Sequence, residues 1–109
     1  MFSFWGMAGD YENRKIERFE EEGLVIDTCL VTDGEHLYET GVCHSSYNSG
    51  DWVIVEAYDT KEDAKEGHKK WIEIMTSDNL PEYLDDCMNA QVSHLGGKTS
   101  MRFIKKLKH

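Results

Sequence analysis

The sequence predicts an α+β fold: an antiparallel four-stranded β-meander with one long helix packed on a face, plus a short C-terminal helix and a terminal strand or arm. Three observations predict it. A run of β-branched and aromatic residues, Trp52-Val53-Ile54-Val55-Glu56-Ala57-Tyr58, passes through Asp59 straight into a helical pattern at Thr60. The strand-like runs before it are joined by connections short enough to make neighbours antiparallel. Apolar residues then recur at spacings of three and four, the stripe of a helix that lies on a core.

Taken in order, Met1 to Gly9 holds three aromatics and two methionines among small residues, with no clear period. Exposed aromatic clusters need a cover. Residues 1–11 are therefore expected to form an apolar arm, folded on its own core or laid on a neighbouring subunit or ligand. Residues 12–22 have helical composition, yet only Ile16 and Phe19 supply an apolar face. An edge strand from Arg14 to Glu20, turning at Glu21-Glu22-Gly23, suits the charged character better. Leu24 to Val31 reads as a strand, and Asp33-Gly34 is a hairpin turn signal before the return strand Leu37 to His44. Ser45 to Asp51 is a polar loop into the Trp52 strand.

In that strand, simple alternation puts Val53, Val55 and Ala57 on one face and Trp52, Ile54, Glu56 and Tyr58 on the other. Thr60 is placed to cap the helix, with Asp63 three residues on. Ala64, Gly67, His68, Trp71, Ile74 and Met75 form the core-facing stripe. Gly67 costs about 1 kcal/mol relative to alanine, so its place in the stripe implies that the sheet comes too close for a Cβ. His68 is expected as a core imidazole bonded to a strand carbonyl or to Tyr58. Pro81 fits the first turn of a short helix through Cys87 or Met88. Gly96-Gly97 break the chain, and Met101 to Leu107 reads as a last strand or extended arm.

A chain of 109 residues supports a single domain spanning 1–109, with residues 12–76 as its body and 77–109 as short helix and basic tail. The net charge of −9 argues against nucleic acid as a ligand, because phosphate contacts need clustered Lys and Arg. Charge is uneven, though. Residues 96–109 carry +5 and no acid, which leaves −14 on residues 1–95. Cys29, Cys43 and Cys87 are odd in number and irregularly spaced, which suggests a reduced, cytoplasmic chain. No apolar run reaches the roughly 20 residues of a membrane span.

No catalytic residue, metal or cofactor is indicated. The histidines and cysteines contain no close ligand pair of the kind structural zinc sites use. Cys43 and His44 are adjacent on a strand and so point to opposite faces. No serine elbow occurs. Gly96-Gly97-Lys98-Thr99-Ser100 looks like a fragment of a phosphate loop, but Val92 stands where a full one needs glycine. Its glycines, lysine and hydroxyls suit either a single phosphate or a plain turn.

The segment from Tyr58-Asp59-Thr60 to Gly67-His68-Lys69-Lys70-Trp71 resembles a group of small tailed-bacteriophage proteins with a Tyr-Asp-Thr…Gly-His-x-x-Trp motif. The runs Gly23-Leu24-Val25-Ile26-Asp27-Thr28 and Tyr38-Glu39-Thr40 sit at similar places in that group, and the likeness covers roughly residues 12–76. It implies a setting, the cytosol of an infected bacterium, and carries no site residue with it. On that analogy of class the expectation is a non-enzymatic, homo-oligomeric accessory protein, a counter-defence sponge that sequesters a small nucleotide-like immune signal. Phe4 and Trp5 would stack on the base, while Lys98, Thr99 and Arg102 would hold phosphate. The alternative is a virion-associated or host-factor protein–protein interaction module.

Overall fold

The computed structural model describes residues 14–31, 37–87 and 101–106. Four strands, β1 (Lys15–Glu21), β2 (Leu24–Leu30), β3 (Tyr38–His44) and β4 (Trp52–Tyr58), form one antiparallel sheet in chain order. A single helix, α1 (Lys61–Met75), contacts all four strands. Two short strands, β5 (Tyr83–Asp86) and β6 (Met101–Ile104), pair antiparallel as a separate ribbon that meets β4. The meander with a helix on one face is the architecture the sequence predicts. Among the described residues no helix is long and apolar enough to cross a membrane.

Local chemistry explains most of these elements. Lys15–Glu21 resolve as strand: β1 is an edge, with Ile16 and Phe19 partly buried and charge elsewhere. Gly23 turns the chain at φ 76, a left-handed conformation glycine enters without a Cβ clash. The Asp33-Gly34 turn lies outside the described residues, but Val31 N donates to Leu37 O at 2.7 Å across its base. Thr60 caps α1 by accepting from Asp63 N at 3.1 Å. Ala64, Gly67, His68 and Met75 are the buried residues of that helix.

The core lies between α1 and the sheet. Leu24 and Ile26 of β2, Val42 of β3 and Val53 of β4 meet Met75 of the helix, Tyr47 of the loop and Leu84 of β5. Phe19, Trp71, Ile72 and Phe103 border it. Tyr47 is a core member that sits in a stretch read from sequence as polar loop, and its hydroxyl donates to Pro81 O at 2.5 Å. That bond ties the loop to the approach of β5.

Three expectations are corrected. The alternation assumed for β4 is broken by a bulge: Gly41 pairs with Ile54 and Thr40 with Glu56, leaving Val55 without a partner. One extra residue reverses the facing beyond it. Glu56 and Tyr58 therefore share the helix face with Val53, while Ile54 joins Asp27 and Gly41 on the opposite face.

The short helix expected from Pro81 to Cys87 or Met88 is absent from the described part of that segment, which forms β5. Two turns ending in Asp85-Asp86 would set carboxylates against the negative end of a helix dipole. As a strand, the same residues bury Leu84 and pair Asp85 with Arg102 of β6.

Gly67 is indeed a site of close approach, but the neighbour is not sheet backbone. A Cβ there would overlap Oη, Cζ and Cε1 of Tyr58. Of the remaining expectations, the apolar arm 1–11, the Gly96-Gly97 break and Lys98-Thr99 lie outside the described residues.

Candidate functional site

Of the five residues expected to hold a ligand, the described structure places one. Phe4, Trp5, Lys98 and Thr99 lie outside the described residues. Arg102 stands on β6, where it is committed to the fold. Its Nε donates to Asp85 Oδ1 at 2.8 Å and its Nη2 to Asp85 Oδ2 at 3.1 Å. The guanidinium also stacks over Tyr83, 3.7 Å from the ring centroid. The paired arginine holds the Asp85 carboxyl below the usual carboxylate range. The Nη1 edge of Arg102 is the part left for a further acceptor.

Arg102 nevertheless borders a groove. Ser45, Ser46, Asn48, Ser49, Arg102, Phe103, Ile104 and Lys106 line a cavity of about 810 Å³. Its far wall is a tight turn in which Asn48, Ser49 and Gly50 all take left-handed backbone angles, φ 51, 55 and 85. Asn48 steadies the turn by donating from Nδ2 to Trp52 O at 3.0 Å. The two walls are joined where Lys106 N donates to Ser46 O at 2.8 Å. Among the described residues Lys106 makes no ion pair and no carboxylate lines the groove. Two other clefts are acidic instead: one includes Glu20, Glu21 and Glu22, the other Glu56, Asp59, Asp63 and Glu66.

A second constellation lies under α1, and sequence reasoning missed it. The β1 and β4 bulges leave one cross-strand rung wholly polar: Glu17, Thr28, Thr40 and Glu56 in adjacent register. Thr28 and Thr40 are completely buried, and their hydroxyls share a hydrogen bond at 2.6 Å. His68 Nδ1 lies 2.8 Å from Thr28 Oγ1. Tyr58 Oη lies 3.1 Å from Thr40 Oγ1 and 3.2 Å from Glu56 Oε1. Glu56 Oε1 also receives Trp71 Nε1 at 2.8 Å and pairs with Lys70 Nζ at 2.6 Å. His68 thus reaches Tyr58 through two threonines, not directly and not through a carbonyl. The available signal was two threonines inside apolar strands and a histidine in an apolar helix stripe; the bulge that joins them to Glu56 leaves no local mark.

Electrostatics follow from this placement. Burial lowers the His68 pKa below the ordinary histidine value, against the opposing pull of Glu17 and Asp27. Burial raises Tyr58 well above the usual phenol range. For Glu56, burial pushes up, but the bonds from Lys70, Trp71 and Tyr58 outweigh it and the carboxyl sits below its ordinary value. On the opposite face, fully buried Asp27 accepts from Arg18 Nη1 at 2.7 Å.

The cysteines are poorly disposed to nucleophilic work. Burial, then Asp27, pushes the Cys29 thiol far up, and burial raises Cys43. Burial, then Glu39 and Asp86, pushes Cys87 up to about 12. A thiol so raised supplies almost no thiolate at neutral pH. Among the described residues no three His, Cys, Asp or Glu side chains converge as a metal ion would need. Set against known proteins, the chain matches no protein-family model, no curated protein and no solved structure.

Proposed function

We propose that this is a non-enzymatic binding protein that sequesters a small, phosphorylated, nucleotide-like ligand in the groove between the Ser45–Gly50 turn and β6. One observation carries the reading. On a chain of net charge −9, this groove presents Lys106 and Arg102 beside serine hydroxyls, with no carboxylate among the described residues of its lining. Such a wall is complementary to phosphate, which Arg binds through paired donors and Lys as a point charge. Its volume, about 810 Å³, falls within the range of small-molecule sites. Phe4 and Trp5 supply the stacking surface in this reading, and Lys98 and Thr99 add phosphate contacts. The motif resemblance of residues 58–71 supports the setting: a phage accessory protein, homo-oligomeric, acting as a counter-defence sponge in the host cytosol.

Calorimetry of the full chain against cyclic mono- and dinucleotides, cyclic ADP-ribose isomers and unphosphorylated adenosine tests the proposal. A phosphorylated member should bind and adenosine should not, and Lys106→Glu should weaken binding at least tenfold. Silence across the panel from folded protein ends it. The rival reading, an interaction module docking on a virion or host protein, draws on a different observation. Tyr83 and Ile104 pair on the outer face of the β5–β6 ribbon at 42% and 68% exposure. Copurification with phage particles, lost in Ile104→Asp, is the outcome that favours it.

A further inference from the structure

Main-chain groups alternate along an antiparallel ribbon: every second residue bonds the partner strand, and those between turn N–H and C=O outward. One bond fixes which residues of β6 face out. Lys105 N donates to Glu82 O at 2.8 Å, in step with the pairs Ile104–Tyr83 and Arg102–Asp85. Phe103 and Met101, two and four residues back, therefore bond β5. Arg102, Ile104 and Lys106 turn their main-chain groups away from it. Lys106 agrees, since its N–H reaches Ser46 O on the far side. Beyond Ser46 the chain leaves β6 through the left-handed Asn48-Ser49-Gly50 turn. Among the described residues no strand pairs with that side of β6, and the outward N–H and C=O of Arg102 and Ile104 are left open. Both residues line the groove.

We infer that this edge docks an extended acidic segment of a partner protein, which lies in the groove as a third, antiparallel strand of the ribbon. An open strand edge is a template for a further strand, and charge selects the occupant. Arg102, Ile104 and Lys106 are spaced by two, so their side chains project from one face. A second copy of β6 paired antiparallel about Ile104 would set Arg102 opposite Lys106. A parallel copy in register would set each cation beside its own image. Like charges across a rung are destabilising. A segment with carboxylates two positions either side of an apolar residue meets the same row favourably. Its carboxylates fall beside Arg102 and Lys106, and its apolar side chain beside Ile104, which is 68% exposed. Asp85 holds Nε and Nη2 of Arg102, which leaves Nη1 for the newcomer. Lys106 has no ion pair to give up among the described residues. The docking does not rest on a nucleotide ligand: it needs the main chain of β6, where phosphate needs only the cations. It differs equally from docking on the outer face of Tyr83 and Ile104, which uses no edge N–H.

Strand addition draws its affinity from main-chain bonds, so a designed peptide serves as the probe. Thr-Glu-Thr-Val-Thr-Glu-Thr carries the required pattern. Fluorescence anisotropy of the labelled peptide with the full chain should show saturable binding that salt weakens. Thr-Lys-Thr-Val-Thr-Lys-Thr should not bind. Two changes remove main-chain bonds without altering charge. One is N-methylation of the acidic peptide at its valine and both glutamates. The other is Ile104→Pro, which deletes an outward N–H that β5 does not use, a place where a strand tolerates proline. Each should weaken binding about tenfold or more. Absence of saturable binding to the folded wild-type protein overturns the inference. So does equal binding of the lysine peptide. So does acidic-peptide binding that survives N-methylation undiminished, because the cations alone then account for it, and this arm leaves the protein unaltered.

Discussion

The phenol of Tyr58 occupies the space that Gly67 leaves open: a Cβ on the helix at that position would overlap Oη, Cζ and Cε1 of the ring. Tyr58 stands at the end of β4 and Gly67 at mid-helix, so the pair fixes how closely α1 approaches the strand it follows. Gly67→Ala gains helix propensity of about 1 kcal/mol but overfills a packed site at a cost of roughly 1–3 kcal/mol. The displaced ring also loses its bonds to Thr40 and Glu56. Net destabilisation is expected, read as a lower urea midpoint. Tyr58→Phe in the same chain should not restore it, because the ring carbons overlap as well. A more stable Gly67→Ala protein would contradict the close approach.

Stability should fall in mild acid because of His68. Its folded pKa lies below the ordinary value of 6.5, so between the two values the unfolded chain binds more protons. The contribution is complete above 6.5 and is lost as pH falls from there through the folded pKa. His44, also lowered by burial, adds an effect of the same sign. Urea denaturation between pH 5 and 7 should show stability rising with pH, and His68→Gln should flatten that slope. An equal slope in the variant would assign the acid response elsewhere.

Arg18→Met leaves Asp27 buried with its guanidinium partner removed. Arg18 Nη1 meets Asp27 Oδ2 at 2.7 Å while Asp27 itself is 1% exposed. Hydrogen bonds to charged groups contribute roughly 1.5–3 kcal/mol, and the loss should fall in that range. The double variant Arg18→Met/Asp27→Leu should recover part of it, since two apolar groups leave no stranded charge. A double variant weaker than the single would show that Asp27 serves its other neighbours more than Arg18.

Tyr47 ties the loop to the segment before β5 through its bond to Pro81 O. Tyr47→Phe should cost about 0.5–1.5 kcal/mol globally. Its local effect should be larger. Amide exchange at Lys105 and Lys106, whose N–H groups bond Glu82 O and Ser46 O, should quicken before exchange in β2 and β3. Uniform acceleration throughout the chain would mean that the ribbon and sheet open together.

Much of this molecule is legible locally. The strand–helix unit from Trp52 to Met75, the Thr60 cap and the antiparallel order each follow from residues near one another in the chain. The readings that failed share a cause. Leu84 and Asp85 become strand because β6, distant in sequence, offers a buried face and Arg102. The pairing of Arg102 with Asp85 likewise needs both strands in place. Tyr47 looks like loop because only the tertiary fold closes a core over it.

By itself the sequence determined the α+β class, the meander and the helix that covers it, because hydrophobic period, turn residues and caps act over a few residues. Only the tertiary structure decided where the polar groups meet. A single unpaired residue, Val55, turns Glu56 toward Tyr58 and His68, and a bulge arises from cross-strand register, which no local pattern encodes.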